Sequence, residues 1–583
     1  MRCSLIGIKF KEKYLGKAQL NNDLLVLSVF GSLCGVLSGL VMVLFYTLIY
    51  LPAEYFMAGD YDGFESLPVL DRVAFVWVSC AMLALMFSTL PNRILKVGVP
   101  YIIERLNHHQ GLLSLSNALV QFVSAVIGLA GGLSIGKEGP AAHLGATLGS
   151  YLAQKAKLPQ YGVETLLACG VAGAISAGFQ TPLAGVLFAF EVIFLEYRLR
   201  YVLPILLSSV IAMLISDYAL GPLNFFGVSD LVVVNFTPDL FFTCFCLALF
   251  VVFLASLFFR IQKRLWRYNV QSVWLRFLVV ALATSLAAIY LPEALGSGYD
   301  SLEGLLSGDV VVYSLLLLIV AKTVLTALTI GLGIPGGMIG PTFIIGGLAG
   351  VQIALSFDTG LSGGGEIALF ALLGMAAMMA ACFQAPLTAL VAIIEMTHSS
   401  EVIVPALFVI VVACLFIRTL LGQDSIFVER LRFAGVSSTI SPFQRQLRHH
   451  KVKPILDEVL ILPMLVPIKQ VKGLASSMLE YVVFDGAGEW YFVKRMVVLE
   501  ALKQAEFGPQ AWMRFSQDAL CMDLVEAVSP AALPLIDEPA SLEEVLNWFQ
   551  QTNRAEVLVA LSNTSSLYIV TRRRLDEFLL RDS

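Results

Sequence analysis

Two different motifs occur twice in this chain, in the same order and at nearly the same spacing. The segment 170–191 reads GVAGAISAGFQTPLAGVLFAFE, and the segment 374–395 reads GMAAMMAACFQAPLTALVAIIE. Upstream of each lies a Gly-x-x-Gly-Pro frame, which begins at Gly136 in the first copy and at Gly337 in the second. Apolar composition alone would produce matching leucines, but it would not produce matching frames of glycine and proline. The repeat therefore predicts a fold made of two related halves.

The repeats lie in a chain that is unusually apolar. Hydrophobic residues make up 58% and charged residues 14% of the 583, and the mean hydropathy is +0.81. An average soluble chain is about 45–50% apolar and about 25% charged. This composition excludes an ordinary soluble enzyme, and it also excludes a disordered chain, which would be poor in apolar residues. The net charge of −5 gives no indication of a nucleic-acid partner.

Charge is distributed unevenly, and this distribution sets the predicted domains. Between residues 24 and 422 only 37 of 399 residues are charged, whereas the remainder has the density of a soluble protein. We predict an N-terminal arm at 1–23, an all-α polytopic membrane domain at 24–432, and a small α/β domain at 440–583. The two halves of the membrane domain are expected at about 24–218 and 240–430.

The membrane helices are predicted to be broken rather than uniform. A simple spanning helix needs about 20 apolar residues, but the charge-free runs here are longer or shorter than that, and glycine and proline interrupt the long ones. Backbone that is not helical at membrane depth is tolerated only where protein or water lines it. Broken helices therefore predict a site inside the membrane, at the interface between the repeats.

Basic residues in short loops predict the orientation. Arg93, Lys96 and the cluster between 260 and 267 mark cytoplasmic loops, and the acidic segment 54–71, which lacks lysine and arginine, fits the outer face. The basic N-terminal arm and the segment 445–451 place both termini in the cytoplasm. We expect a multi-pass protein of the cytoplasmic (inner) membrane of a bacterium.

The Gly-x-x-Gly-Pro frames predict an anion site. Proline in the first turn, with glycine just before it, is a helix start signal. A helix N-terminus carries roughly half a positive charge and unpaired N–H groups, which attract an anion. Conduction requires binding that is weak enough for release, and backbone amides meet that demand better than a buried arginine does.

The same glycines allow two nucleotide-binding interpretations and a packing interpretation. The segment 131–138 is one residue short of a phosphate-binding G-x-x-x-x-G-K-[ST] loop, but Glu138 stands where the hydroxyl would be and no strand precedes it. The segment 331–336 imitates a dinucleotide fingerprint without its strand–turn–helix context. Close helix packing explains many of the glycines, but it does not explain Glu138. The lone pair Cys244 and Cys246 predicts no metal site, and no catalytic constellation is found.

An ionisable residue inside the membrane is a functional hypothesis by default. Glu138 lies at a presumed anion-binding helix start, where its carboxylate would compete with the transported anion until it is protonated. Glu191 and Glu395 occupy equivalent repeat positions, so a structural role at helix ends is the simpler interpretation. Lys322 is expected to reach toward the interface.

At these motifs the sequence resembles the CLC family of chloride channels and proton/chloride antiporters. Residues 136–140, Gly-Lys-Glu-Gly-Pro, match a family motif in which Glu138 is the gating glutamate. Residues 337–341 resemble a second motif, and residues 97–100, Val-Gly-Val-Pro, resemble a third. The anion-binding residues that the resemblance implies are Lys137, Glu138, Gly139, Met338, Ile339, Val97, Gly98 and Phe427. It also implies an inverted repeat, a homodimer in the lipid bilayer, and a transporter of chloride or other small anions that is not an enzyme and has no cofactor.

The sequence departs from the family pattern at three positions. Val97 replaces the pore serine and Phe427 replaces the pore tyrosine, so both hydroxyl ligands are absent. Val192 replaces the internal proton-accepting glutamate of many antiporters. We therefore expect channel-like chloride transport that is uncoupled or weakly coupled to protons. A stoichiometric proton/chloride antiporter is the alternative, and a non-conducting membrane sensor is a third possibility.

The C-terminal region resembles a degenerate pair of CBS motifs. Strands are predicted at 489–493, 556–561 and 566–571, and helices at 497–505 and 574–580. Arg574 and Lys494 stand where that family expects nucleotide-binding residues. We therefore expect a cytoplasmic module for dimerisation and gating rather than an adenine-nucleotide site.

Overall fold

The structure is a computed structural model of the full chain. It describes residues 24–49, 63–91, 93–197, 202–221, 237–268, 270–307, 315–357, 365–436, 455–486, 489–504, 512–516, 519–528, 530–533, 535–537, 555–560 and 567–582, with single positions between 542 and 549. The chain divides into two compact units, Met1–Ser438 and Thr439–Ser583. The predicted arm at 1–23 and the basic segment 445–451 lie outside the described residues.

The first unit is helical. Its helices are α1 (Leu24–Ile49), α2 (Val69–Thr89), α3 (Val99–His108), α4 (Leu115–Ala130), α5 (Glu138–Lys155), α6 (Gln160–Phe179), α7 (Pro182–Phe188), α8 (Val202–Leu220), α9 (Pro238–Tyr268), α10 (Val273–Tyr290), α11 (Tyr299–Ser307), α12 (Leu315–Gly331), α13 (Ile339–Ser356), α14 (Gly365–Phe383), α15 (Pro386–Thr397), α16 (Ile403–Leu415) and α17 (Ile426–Phe433). Within the described ranges, nine helices are long and apolar enough to cross a membrane. Others, such as α3 and α7, are far shorter than one crossing. The prediction of a polytopic fold with broken helices is confirmed.

The helix breaks occur at equivalent places in the two halves. Gln180 and Gln384 both have φ +54°, in the left-handed region that ends a helix. Two residues later, Pro182 and Pro386 start α7 and α15, because proline lacks the N–H that a first helical turn leaves unpaired anyway. The shared Gln-x-Pro-Leu sequence thus encodes the same break twice.

Many of the repeated glycines serve close helix packing. A Cβ on Gly149 would overlap the carbonyl oxygen of Leu166. Because glycine has no Cβ, α5 can pack closely against α6 at this position. In the second half, a Cβ on Gly350 would overlap the carbonyl oxygen of Phe370. The missing Cβ likewise allows α13 to pack closely against α14. The packing interpretation of the sequence is therefore correct for these positions.

The two Gly-x-x-Gly-Pro frames meet directly. The N–H of Gly136 donates to the carbonyl of Gly337 at 2.6 Å, and the N–H of Gly337 donates to the carbonyl of Gly136 at 2.7 Å. This reciprocal pair is an isolated antiparallel bridge. Reciprocal bonds between equivalent residues are the contact that an approximate two-fold axis between the halves produces, and the predicted inverted-repeat fold is confirmed.

Two glutamates at the ends of the repeats clasp the halves together. Glu395 accepts hydrogen bonds from the backbone N–H groups of Leu183 (2.8 Å) and Ala184 (2.9 Å), in the first turn of α7. Glu191 accepts in the same way from Leu387 (3.1 Å) and Thr388 (2.8 Å), in the first turn of α15. Each carboxylate thus caps the helix of the opposite half. The expectation of a structural role at helix ends is confirmed.

The second unit mixes strands and helices. Its strands are β1 (Asp457–Leu462), β2 (Leu465–Pro467), β3 (Tyr481–Gly486), β4 (Glu489–Lys494), β5 (Met513–Ser516), β6 (Ala519–Asp523), β7 (Ala531–Leu533), β8 (Leu535–Asp537), β9 (Glu556–Ala560) and β10 (Leu567–Thr571). They form one sheet in the order β7-β4-β3-β1-β10-β9-β8 and another in the order β2-β6-β5. Helices at Ile468–Gly473, Arg495–Gln504, Leu524–Val528 and Arg572–Asp582 accompany them. The predicted α/β class and the named strands and helices are confirmed within one or two residues.

Arg574 has a structural partner in this unit. Its Nε lies 3.5 Å from Oδ1 of Asp457, so it links the last helix to β1. Burial raises the pKa of the Asp457 carboxyl, and the Arg574 guanidinium opposes that rise. The arginine that stands at the expected ribose-binding position therefore belongs to an internal ion pair.

Candidate anion site

Three helix starts and one short helix surround a cavity of about 340 Å³ in the membrane unit. The starts are those of α3, α5 and α13, and the short helix is α17. Six of the residues that the sequence singled out line this cavity: Val97, Gly98, Gly139, Met338, Ile339 and Phe427. Because helix N-termini present partial positive charge and free N–H groups, their convergence makes the cavity suited to an anion.

The start of α3 depends on a glycine and on a support from α4. Gly98 has φ +91°, a conformation that favours glycine. The preceding loop is held by Asn117, whose Nδ2 contacts the carbonyl oxygens of Arg93, Ile94 and Lys96 at 2.9–3.1 Å. This support fixes the position of the α3 N-terminus at the cavity.

Glu138 folds its carboxylate onto the start of α13. Its Oε2 accepts a hydrogen bond from the N–H of Gly340 at 3.1 Å, and its Oε1 accepts one from the Tyr299 hydroxyl at 3.1 Å. The side chain is only 1% exposed. A Cβ on Gly340 would lie 2.9 Å from either carboxylate oxygen, so the glycine permits this approach. The carboxylate therefore occupies a place where the backbone would otherwise offer an N–H to an anion.

The Lys137 side chain lies elsewhere. Its ammonium nitrogen is 4.0 Å from the centroid of the Tyr46 ring and 5.1 Å from that of the Tyr299 ring. Lys137 is buried but is not among the residues that line the cavity. Tyr299 thus contacts both neighbours, since its ring faces Lys137 and its hydroxyl binds Glu138.

The two positions that lack hydroxyl groups form an apolar part of the cavity wall. Phe427 is buried and stacks on Phe383, with ring centroids 5.1 Å apart. Val97 lines the same cavity from the loop before α3. Neither side chain can donate a hydrogen bond, so any anion held between them must find its donors on the backbone or on another side chain.

Val192 lies apart from the cavity. It is 1% exposed in the π-helical segment Ala189–Phe194, directly after Glu191, and it is not a lining residue. An apolar side chain among buried apolar neighbours has no group that can exchange a proton.

The structure adds two residues to the site that sequence reasoning did not single out, Gln121 and Tyr299. Gln121 follows Asn117 by one helical turn on α4, and both are buried polar residues in a charge-free run. That polar stripe at helical spacing was the available signal. Tyr299 ends the segment Gly296-Ser-Gly-Tyr299, which fits the resemblance of the sequence to the CLC family but gives the tyrosine no role. In the part of the chain that is described, no group of three or more metal-ligating side chains could hold a metal ion.

Comparisons with known proteins agree with this geometry. Residues 79–418 match the family model described as "Voltage gated chloride channel". The "putative chloride channel protein ClcB-like" of Ralstonia nicotianae is 30% identical over 302 residues, which cover 51% of this chain and 70% of that protein. The "H(+)/Cl(-) exchange transporter ClcA" of Klebsiella pneumoniae is 28% identical over 326 residues, which cover 52% and 65%.

A solved structure extends the likeness in fold. The crystal structure of a eukaryotic CLC transporter matches with a TM-score of 0.58 at 20% identity, and the match covers 94% of this chain and 98% of that one. This likeness concerns the fold alone. The family match, which spans more than half of the chain, and the convergent helix starts together give the conclusion that this multi-pass membrane protein belongs to the voltage gated chloride channel family, the CLC family.

Proposed function

We propose that this protein transports chloride across a membrane through the cavity between α3, α5 and α13, with Glu138 as its gate. The observation that carries the proposal is the hydrogen bond from the N–H of Gly340 to the Glu138 carboxylate at 3.1 Å. A carboxylate bound at a helix start occupies an anion site, and its protonation would free that site. The test is chloride efflux from vesicles that contain the purified protein, against empty vesicles as the control.

The transport mode that we propose is uncoupled or weakly coupled. Proton movement through the protein needs a series of groups that can accept a proton. Val192, at the position of the family's internal acceptor, is buried and apolar. This supports anion movement without a fixed proton count.

For proton coupling, we expect an outward chloride gradient to drive little or no proton uptake into vesicles, since Val192 cannot carry a proton. Proton and chloride movements would be recorded together with pH and chloride electrodes. The Glu138→Gln variant is the control for background proton movement, because it lacks the gate carboxylate in addition to the internal proton acceptor. A constant chloride-to-proton ratio in the wild type would contradict the uncoupled mode.

A stoichiometric proton/chloride exchanger is the second candidate. It is supported by the name of the Klebsiella pneumoniae relative, an exchange transporter, and by the presence of a carboxylate at the gate. The same recording decides between the two modes, because an exchanger moves protons against their gradient at a fixed ratio.

The remaining proposals concern assembly and location. We propose a homodimer in the bacterial inner membrane with both termini in the cytoplasm, on the basis of the family resemblance and the basic loops. The C-terminal unit would serve dimerisation and gating. The ion pair between Arg574 and Asp457 weighs against nucleotide binding, because it engages the side chain at the expected ribose position.

For the C-terminal unit, we expect that titration of the purified full chain with ATP or AMP produces no heat of binding. Arg574→Asp, which restores the residue type that the CBS family expects, is the matched variant, and binding by this variant alone would support the explanation. Saturable binding of either nucleotide by the wild type would contradict it.

A further inference from the structure

Gln121 brings a buried amide to the anion cavity. It lies on α4, is 1% exposed, and belongs to the cavity lining. Its Oε1 accepts a hydrogen bond from the N–H of Gly98 at 2.7 Å and also contacts Nδ1 of His143. The single atom Oε1 thus connects Gln121 both to the start of α3 and to α5.

These two contacts fix which end of the amide faces the cavity. A backbone N–H can only donate, so the atom 2.7 Å from the Gly98 nitrogen must be the carbonyl oxygen of Gln121. The amide nitrogen Nε2 then points away from Gly98 N. Within the described ranges no protein acceptor contacts Nε2, and the side chain borders the cavity. A hydrogen-bond donor is therefore presented to the space where the anion would lie.

His143 holds this orientation from the other side. Because Oε1 is an acceptor, Nδ1 of His143 must carry the proton that it shares with Gln121. The His143 ring is buried and packs edge-on against Tyr101, with centroids 5.5 Å apart. A rotation of the Gln121 amide would set its NH₂ against the Gly98 N–H, which can only donate, so the observed orientation is the favoured one.

We propose that Nε2 of Gln121 donates a hydrogen bond to the transported anion. This inference rests on the proposed function and names the side chain that supplies what Val97 and Phe427 lack. Those two residues give the cavity apolar walls, so the backbone amides need a partner to complete the hydrogen-bonding of a dehydrated anion. A neutral amide donor meets this need without binding the ion as tightly as a lysine would.

The residue at the equivalent position in the second half has a different role from Gln121. At the repeat spacing of 201, Gln121 corresponds to Lys322, which is fully buried. The ammonium of Lys322 donates to the carbonyl oxygens of Ala294, Leu295 and Gly296 at 2.8–3.1 Å. The lysine is thus engaged by the backbone of a loop, whereas the glutamine directs its donor to the cavity.

The direct test uses the wild-type protein. Crystals soaked in bromide would be measured at the bromine absorption edge. We expect an anomalous peak in the cavity within hydrogen-bond distance of Gln121 Nε2. A bromide peak that contacts the amides of Met338 and Ile339 but lies out of reach of Nε2 would overturn the assignment.

Substitutions give the second test, with chloride binding to the purified protein measured by calorimetry. Gln121→Glu keeps an acceptor for Gly98 and His143 but removes the donor, and we expect chloride binding to weaken at least about tenfold. Gln121→Leu is expected to weaken it about tenfold. The control is Gln352→Glu at the far end of α13, where Nε2 donates to the Ser356 hydroxyl, and its affinity should match the wild type.

The outcomes separate this inference from the proposed function. If wild-type vesicles pass no chloride, the proposed function itself fails. If the wild type transports chloride and both Gln121 variants, folded as judged by gel filtration, bind chloride like the wild type, only the assignment to Gln121 fails.

Discussion

Glu138→Gln is expected to raise chloride flux at neutral pH and to abolish its dependence on pH. In the wild type, flux should increase as pH falls, because protonation neutralises the carboxylate that lies at the α13 N-terminus. Glutamine is neutral at every pH, so it imitates the protonated gate permanently. A hydrogen bond to a charged group contributes about 1.5–3 kcal/mol and one to a neutral group about 0.5–1.5 kcal/mol. The glutamine oxygen can form only the weaker bond with the Gly340 N–H, which shifts the gate toward the open state by roughly tenfold. The measurement is chloride efflux from vesicles across a pH series.

Two further variants make this expectation specific. Glu138→Asp keeps the charge on a shorter side chain, so its flux should still respond to pH. Tyr299→Phe removes one of the two donors that hold the carboxylate, so we expect a smaller rise in flux with pH dependence retained. Chloride flux through Glu138→Gln that still follows pH as in the wild type would rule out Glu138 as the titrating gate.

Structural features whose sequence pattern occurs in both halves of the membrane unit could be predicted from the sequence. The Gly-x-x-Gly-Pro frames need glycine because a Cβ on Gly337 would lie 2.7 Å from the carbonyl oxygen of Gly136, and a Cβ on Gly136 would lie 2.9 Å from the Pro341 ring. The pattern therefore occurs in both copies and reveals the repeat, whereas its inversion is an expectation from the family resemblance. The cavity residues Met338 and Ile339 could be named because the frame that contains them resembles a motif of the CLC family.

Contacts between single, distant side chains could not be predicted in this way. Tyr299 binds Glu138 across 161 positions of the chain, and no periodicity connects them. Besides the polar stripe on α4, the repeat offset of 201 pairs Gln121 with Lys322. Gly98 and Gly298 have φ +91° and +88°, so the loops before α3 and α11 are equivalent. Gln121 and Lys322 support these two loops from equivalent helices, and comparing them would have drawn attention to Gln121.

The second large effect is expected at the crossed glutamates, where Glu191→Gln and Glu395→Gln should each lower the melting temperature. Each carboxylate accepts two backbone N–H groups in the first turn of the opposite helix, and an amide would turn an NH₂ toward one of them. Because Glu191 and Glu395 are only half-buried, we expect each change to cost about 1 kcal/mol, the lower end of the range for an unsatisfied donor. Glu191 also accepts the Tyr197 hydroxyl at 2.6 Å, so its variant should be the less stable of the two.

The double variant tests whether the contributions of the two glutamates to stability are coupled. Since α7 and α15 pack against each other, each single variant retains one clasp, and the double variant retains neither. We therefore expect its loss of stability to exceed the sum of the single losses, measured by scanning fluorimetry in detergent. Glu401→Gln, an exposed position outside both clasps, is the control for removal of charge. If the single variants have the same melting temperature as Glu401→Gln, the crossed caps contribute no stability. If the double variant is merely additive, the halves are held at two independent places.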